Sequence, residues 1–181
     1  MNITFEKAHL SHKDIIFHWL KEPHMQEHWD NSQEHKDDIL NFLNGRKQTY
    51  FFGTTKYWIA KINTVAFAII LSDQIEPSQI DLQPLHRQNL SKQGHTCCID
   101  FGIGNKEYLG KGLAAITLDG FVKFYTTQVD LLADTFFIDP DVSNPKAKHV
   151  YEKAGFILKG DFEMKSGFFE GKATQLLVRE L

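Results

Sequence analysis

The chain has 181 residues, of which 42% are hydrophobic, 13% aromatic and 24% charged, and its formal net charge is -3 at pH 7. These values are typical of a single folded globular domain with its own core, and they exclude a disordered chain. The acidic balance argues against a nucleic-acid partner, and no apolar run reaches the roughly 18–20 residues of a membrane-spanning helix, so we expect no membrane partner either.

The N-terminal part of the chain predicts a strand, two helices and a β-hairpin. The strand covers residues 3–6, the first helix runs between Ser11 and Pro23, the second covers residues 33–44, and the hairpin joins strands at 50–62 and 65–72. Ser11 would cap the first helix and Pro23 would end it. Gly45 lies just beyond the second helix, where glycine commonly ends a helix. Asn63-Thr64 would form the hairpin turn, although Asn-Gly is the stronger signal.

A long polar stretch, residues 73–94, separates the hairpin from the next strand. It has no clear period, and a loop of this length inside one domain is often functional. In the strand that follows, Cys97, Ile99, Phe101 and Ile103 alternate onto one face, and Cys98 and Asp100 lie on the other. The two cysteines are adjacent and give no disulfide framework, and Glu6 and Lys7 interrupt any secretory signal, so we expect a cytoplasmic protein.

The C-terminal part predicts a helix, a strand, a helix and two closing strands. The main helix covers residues 110–128, and its apolar residues on more than one side predict burial against a sheet. Residues 131–138 form a nearly continuous apolar strand, as in the middle of a sheet. Asn144 would cap the next helix, with Pro145 at its first position and Gly155 beyond its end. The closing strands are predicted at residues 156–162 and 172–180. The order of elements predicts a mixed α/β (α+β) domain with a central strand–helix–strand unit.

The turn before the main helix reads Leu109-Gly110-Lys111-Gly112-Leu113-Ala114. Such a turn directs unpaired backbone N–H groups and the positive end of a helix dipole to one point, where a phosphate group can bind. Gly110 and Gly112 let the backbone approach that anion closely. A Walker A loop would require a hydroxyl residue where Gly112 stands, and a Rossmann fingerprint would require glycine in place of Glu107.

Together with a second block, this turn resembles the GNAT superfamily of acetyl-CoA-dependent N-acetyltransferases. The second block runs from Asp139-Pro140 through Asn144 and Ala147 to Tyr151-Glu152-Lys153-Ala154-Gly155-Phe156. Within the superfamily the chain looks most like the aminoglycoside 6'-N-acetyltransferases, which confer antibiotic resistance, with siderophore acyltransferases nearby. The residues that fit this branch are Ile99-Asp100, Asp139-Pro140 and the pattern Trp19-Leu20…His24…Trp29.

The resemblance implies a GNAT-like single domain over residues 1–181, with a central, mixed and mostly antiparallel twisted sheet flanked by helices. It implies acetyl-CoA as co-substrate and direct transfer, in a ternary complex, to a primary amine of a small polycationic acceptor. The best single candidate is the 6'-amino group of an aminoglycoside. The cofactor-binding residues that the resemblance implies are Ile103, Leu109, Gly110, Lys111, Gly112, Leu113, Ala114, Asn144 and Tyr151. Glu107 departs from the family, which often has Gln or Arg at this position.

Asp100 and Tyr151 are the catalytic candidates. Asp100 would attract the acceptor ammonium and remove its proton, and Tyr151 would protonate the departing thiolate. Asp139 and Trp29 would join Asp100 in binding the acceptor. The alternatives are a solvated or ion-paired strand aspartate for Asp100 and ordinary core positions for Tyr151 and Trp29.

Other functions stay open at this point. They are acylation of a siderophore precursor or of a protein N-terminus, and a non-catalytic acyl-CoA-binding module, which Glu107 would favour. His24, His28 and His35 have metal-like spacing, but no glutamate is placed as in a zincin, so we expect no metal. The sequence leaves monomer and homodimer equally open.

Overall fold

The computed structural model describes residues 2–45, 55–80 and 82–181. The elements in chain order are β1 (Ile3–Lys7), α1 (Lys13–Trp19), α2 (Pro23–Gln26), α3 (Gln33–Leu43), β2 (Lys56–Ile62), β3 (Val65–Ile75), α4 (Pro84–Gln88), β4 (His95–Ile103), α5 (Leu113–Gln128), β5 (Ala133–Ile138), α6 (Pro145–Lys153), β6 (Ile157–Glu163) and β7 (Ala173–Glu180). Short 3-10 turns lie at Leu10–His12 and Lys106–Tyr108.

The strands are hydrogen-bonded in the order β1-β2-β3-β4-β5-β7-β6. The β4–β5 pair is parallel, and the pairs β1–β2, β2–β3, β5–β7 and β6–β7 are antiparallel. The predicted mixed, mostly antiparallel sheet is therefore confirmed. In the described part of the chain, the structure contains no helix with the length and apolar character needed to cross a membrane.

The chain divides into two compact units. The first comprises Met1–Asp73 and Asp100–Leu113, and the second comprises Gln74–Ile99 and Ala114–Leu181. Strand β4 contributes residues 100–103 to the first unit and residues 95–99 to the second.

In the first unit, helices α1 to α3 pack on the β2–β3 hairpin. Trp19, Ile39 and Tyr57 lie in this core and are at most 2% exposed. The hairpin turns at Asn63-Thr64, and the positive φ of Asn63 (55°) suits a tight two-residue turn. Burying these large side chains contributes about 1.5–3 kcal/mol each to folding.

In the second unit, an apolar cluster around Phe137, Leu176 and Val178 holds the sheet against the segment containing α4. The guanidinium of Arg179 on β7 links the strand to α5 and to the end of α6. It donates to the carboxylate of Asp119 on α5 at 2.9 Å and to the backbone oxygen of Ala154, which caps α6, at 2.7 Å.

Two boundary predictions near the N-terminus are wrong. Ser11 does not cap a helix, because it lies inside a 3-10 turn with its hydroxyl 3.0 Å from Nδ1 of His9, and His12 occupies the cap of α1. Pro23 does not end the first helix either. That helix ends at Trp19, and Pro23 begins α2, where its missing N–H costs no helical hydrogen bond.

The other boundaries shift for local reasons. The main helix begins at Leu113, because Gly110 and Gly112 both have φ of 70°, a left-handed conformation that excludes them from the helix. The strand predicted from residue 131 begins at Ala133, and Leu131 and Leu132 are exposed. The polar stretch 73–94 contains the end of β3 and helix α4. Residues 50–54 of the predicted hairpin strand lie outside the described residues.

Candidate functional site

Asp100 lies on β4, on the opposite face from the fully buried Ile99. Its side chain is accessible to solvent. Burial among protein atoms, with a second contribution from the negative charge of Asp30, nevertheless raises the pKa of its carboxyl group to about 6. At pH 7 the group is therefore mostly ionised and is a stronger base than an ordinary aspartate.

Two glycines of β4 and its extension bring the N-terminal helices onto this strand. A Cβ atom at Gly102 would lie 2.7 Å from Cε of Met25 and 3.4 Å from Cε3 of Trp29, and one at Gly104 would collide with the ring of Trp19. Gly102 shares the strand face of Asp100, since side chains two residues apart point to the same side. The segment from Met25 to Trp29 therefore packs directly beside Asp100.

Asp30 follows Trp29 and is held by local hydrogen bonds. Its carboxylate accepts the backbone N–H of Ser32 at 2.8 Å, and one oxygen lies 3.7 Å from Nδ1 of His35. Burial lowers the pKa of His35, which favours the neutral imidazole at pH 7 although the Asp30 carboxylate lies close to it.

The end of β4 is fixed by two further hydrogen bonds. Nε2 of His24 lies 2.8 Å from the carbonyl oxygen of Ile103, and the N–H of Asn105 donates to the carbonyl of Phe67 at 3.0 Å. The Ile103 carbonyl thus has an intramolecular partner.

The glycine turn exposes its backbone. Apart from each glycine's neighbours in the chain, no atom of the described residues lies within 4 Å of the position of a Cβ at Gly110 or Gly112. Nζ of Lys111 lies 5.6 Å from the ring centre of Tyr108, which itself packs on Phe67. The turn leads into α5, which has 16 residues and supplies a helix dipole. These features fit a pyrophosphate group.

Four of the predicted site residues lie in the second unit. Tyr151 on α6 is 9% exposed and contacts Phe156. Asn144 caps α6, since its side-chain oxygen accepts the N–H of Ala147 at 3.1 Å. Asp139 directly follows β5 and is half-buried, and Ala114 lies in the first turn of α5.

Trp29 is more buried than a residue that lines a binding site. It is 6% exposed and stacks on the ring of His35 with 6.0 Å between ring centres. It therefore acts first as a core residue that places Asp30.

The histidines have separate partners. His24 contacts Ile103, His28 contacts Glu27, and His35 contacts Asp30. Another group, Glu6, His9 and His12, has its potential ligand atoms within 4.8 Å of one another. Glu6 already pairs with Lys61 and with Nε2 of His12, and Nδ1 of His12 accepts the N–H of His9, so polar contacts within the chain already hold this group together.

A surface cleft of about 280 Å³ lies in the first unit beside the end of β4. It is lined by Ile15, His18, Trp19, Glu22, Gly104, Asn105, Lys106 and Glu107. The lining carries charges of both signs, from Glu22, Glu107 and Lys106, and Nε2 of His18 lies 3.4 Å from the Glu22 carboxylate.

Asp30 was not predicted from the sequence. The local signal was present, because Asp30-x-Ser32 is an aspartate turn immediately before the capped helix α3. Nothing in the pattern of residues 30–32 indicates that the turn packs beside β4, since that contact depends on Gly102.

A family model described as acetyltransferase (GNAT) domain matches residues 9–164. No curated protein matches the sequence. Among solved structures, an aminoglycoside N(6')-acetyltransferase from Legionella pneumophila is 24% identical with a TM-score of 0.77, covering 99% of this chain and 94% of that one. The aminoglycoside acetyltransferase AAC(6')-Ib with coenzyme A and kanamycin is 19% identical with a TM-score of 0.74, covering 99% and 95%. Spermidine N-acetyltransferase from Vibrio cholerae with CoA and spermine is 14% identical with a TM-score of 0.70, covering 98% and 95%. At these identities the likenesses show the fold.

Proposed function

The chain belongs to the acetyltransferase (GNAT) domain family, which makes it an N-acetyltransferase with acetyl-CoA as co-substrate, and we propose that it acetylates a primary amine of a small polycationic acceptor. The 6'-amino group of an aminoglycoside is the best candidate for that amine. The observation that carries the proposal is the carboxylate of Asp100, which lies on the strand before the glycine turn and is accessible to solvent. Burial among protein atoms and the charge of Asp30 raise the pKa of this carboxyl group.

The glycine turn is proposed to hold the coenzyme. Gly110 and Gly112 have no side chain to keep a phosphate from the backbone, and the space on the Cβ side of each is open. The N-terminus of α5 adds its dipole. Lys111 contributes a positive charge to the same turn. Leu109, Leu113 and Ala114 complete this segment, and Ile103 and Asn144 remain proposed contacts of the coenzyme.

Asp100 is proposed to act on the acceptor. Its negative charge attracts an ammonium group, and its raised pKa favours removal of the proton that the amine must lose before it attacks the thioester carbonyl. Tyr151 is proposed to donate a proton to the departing thiolate, which would otherwise leave as an unstabilised anion. Asp139 would add negative charge for the remaining ammonium groups of the acceptor, and Trp29 supports this region from the core.

The alternatives predict different acceptors. A siderophore-type enzyme would acylate a hydroxylamine, which is uncharged at neutral pH and gains little from Asp100. A protein N-terminal acetyltransferase would prefer peptides, and a non-catalytic module would bind acetyl-CoA without turnover. The carboxylate of Asp100 favours a cationic amine over the uncharged hydroxylamine of a siderophore precursor.

Release of the coenzyme A thiol tests the proposal. The purified protein receives acetyl-CoA with kanamycin, spermidine, an N-hydroxylated lysine derivative or a peptide with a free N-terminus. We expect turnover with a polycationic amine and a loss of about 10²–10⁴-fold in Asp100→Asn. Asp37→Asn, an exposed acid on α3, is the matched control and should retain full activity. Tight binding of acetyl-CoA with no accepted amine, or preference for the peptide or the hydroxylamine, would contradict the proposal.

A further inference from the structure

We propose that Glu6, His9 and His12 form a zinc-binding site, in which one carboxylate oxygen and two imidazole nitrogens hold the ion and a water molecule completes the tetrahedron. The three residues are spaced three apart in the chain, and all lie in the first compact unit. They are separate from the residues proposed for acetyl transfer. The inference therefore goes beyond the proposed function and assigns zinc no part in that reaction.

The local backbone brings the three side chains together. Glu6 lies near the end of β1, and His9 directly precedes the 3-10 turn Leu10–His12. A 3-10 turn has three residues per turn, so side chains three apart lie one above the other. The rings of His9 and His12 accordingly have 4.1 Å between their centres, and the potential ligand atoms of the three residues lie within 4.8 Å of one another.

A buried oxygen in this group points to a cation. Oε1 of Glu6 is covered by protein atoms and has no hydrogen-bond partner within residues 2–45, 55–80 and 82–181. Nε2 of His12 lies 2.8 Å from it and Nζ of Lys61 also contacts it, but neither contact has the geometry of a hydrogen bond. A bound metal ion would satisfy this oxygen, because a carboxylate oxygen and an imidazole nitrogen lie side by side around zinc.

The donor set and its spacing suit zinc. Two imidazoles and one carboxylate are typical ligands of Zn²⁺, whereas Mg²⁺ and Ca²⁺ prefer oxygen ligands alone. With metal–ligand distances of about 2.0–2.1 Å, two ligand atoms of a tetrahedral site lie about 3.4 Å apart. The group must therefore contract slightly from its present spread of up to 4.8 Å. His9 is exposed, so its side chain can rotate toward the other two ligands and an ion can enter from solvent.

Two contacts within the chain compete with the ion. The ammonium group of Lys61 on β2 reaches Glu6 diagonally across the β1–β2 pair. The N–H of His9 donates to Nδ1 of His12 at 3.2 Å, and zinc at Nε2 would place the ring proton on Nδ1 and break this long hydrogen bond. Both costs lower the affinity for zinc, and a substitution can remove the first of them.

Titration of the intact chain with ZnCl2 tests the site, after treatment with EDTA and in competition with a chromophoric chelator. We expect one Zn²⁺ per chain with a Kd on the order of 1 μM, weaker than in a closed four-ligand site. His9→Gln should weaken binding at least tenfold, since it removes a ligand. His28→Gln is the matched control, because His28 is exposed and contacts Glu27, and it should bind zinc as the wild type does.

Lys61→Gln tests whether Glu6 is a ligand. Removing the competing ammonium group should tighten zinc binding about threefold to tenfold, whereas a histidine that binds metal without Glu6 would not respond. Unchanged or weaker binding in Lys61→Gln would overturn the assignment of Glu6 and with it the three-ligand site.

Co²⁺ reports the coordination number, because four-coordinate Co²⁺ absorbs visible light far more strongly than the hydrated ion. We expect strong absorption in the wild type and in His28→Gln, and its loss in His9→Gln. An equal Tm of His9→Gln and the wild type in EDTA would show that the loss is not a loss of folding. The weak absorption of six-coordinate Co²⁺, or equal zinc affinity of His9→Gln and the wild type, would overturn the inference.

Discussion

Burial and the charge of Asp30 disfavour the ionised form of Asp100 and raise the pKa of its carboxyl group from 3.8 to about 6. The group is nevertheless ionised at neutral pH, which lies above this pKa. The folded protein therefore binds more protons than the unfolded chain between about pH 4 and pH 6. Its stability falls as the pH rises through this range. At pH 7 the ionised Asp100 destabilises the fold, and protonation relieves the cost as the pH falls through 6.

Asp100→Asn should therefore stabilise the protein at pH 7 while it removes activity. We expect an increase in Tm of about 2–4 °C, the effect of about 1 kcal/mol in a chain of this size, a modest figure because the side chain is solvent-accessible. At pH 4, where Asp100 is protonated, the gain should disappear. Differential scanning calorimetry at both pH values measures this. A gain of equal size at pH 4 and pH 7 would show that the charge of Asp100 is not the cause.

A second prediction concerns the hydroxyl group of Tyr151, a buried residue that is 9% exposed and contacts Phe156. Tyr151→Phe keeps the ring and removes only the hydroxyl, so packing is largely conserved. We expect kcat to fall about 10–100-fold with little change in the Kd of acetyl-CoA. A large loss of acetyl-CoA affinity or a collapse of Tm would instead assign the hydroxyl a structural role. Stopped-flow thiol release and calorimetric binding distinguish these outcomes.

At the level of elements, substitutions in the glycine turn before α5 can distinguish the cost of backbone strain from an effect on coenzyme binding. Gly110 and Gly112 have φ of 70°. Apart from neighbours in the chain, no atom of the described residues lies within 4 Å of the position that a Cβ would take at either glycine. Alanine at either position costs about 1–2 kcal/mol of backbone strain and also places a methyl group where the pyrophosphate would approach.

We expect Gly110→Ala and Gly112→Ala to weaken acetyl-CoA binding about tenfold or more. Gly167→Ala is the matched control, because Gly167 has φ of 82° with open space around it and lies in the β6–β7 connection. It should lower Tm by a similar amount without changing acetyl-CoA affinity. Equal effects of all three variants on affinity would remove the glycine turn from the coenzyme site.

Helix α6 shows which elements the sequence determines by itself. Its first residue, Pro145, its cap, Asn144, and its terminal glycine, Gly155, are all local signals, and the structure has the helix at Pro145–Lys153. The hairpin turn at Asn63-Thr64 was predictable in the same way. Capping and turn chemistry involve neighbours in the chain, so no knowledge of distant contacts is needed.

The packing of the N-terminal helices on β4 could not be predicted, because it depends on tertiary contacts. Met25 and Trp29 fill the space above Gly102. Nothing in the sequence around Gly102 indicates that Met25 and Trp29 pack against this glycine. The boundary between α1 and α2 was predicted wrongly, because in a sequence a proline that ends one helix cannot be distinguished from one that begins the next. Pro23 begins α2.

Over the whole molecule, the net charge of -3 and the carboxylate of Asp100 would both attract the cationic acceptor that we propose. Both attractions are screened by salt, since the Debye length falls from about 10 Å at 0.1 M to about 3 Å at 1 M. We expect kcat/KM for 2,6-diamino-2,6-dideoxyglucose to fall about tenfold between roughly 0.05 M and 0.5 M salt, and kcat/KM for 6-amino-6-deoxyglucose to fall less. Saturating acetyl-CoA is required throughout, because the anionic coenzyme has a salt dependence of its own. If both sugars respond equally, the number of ammonium groups on the acceptor does not determine the attraction, which would contradict a polycationic acceptor.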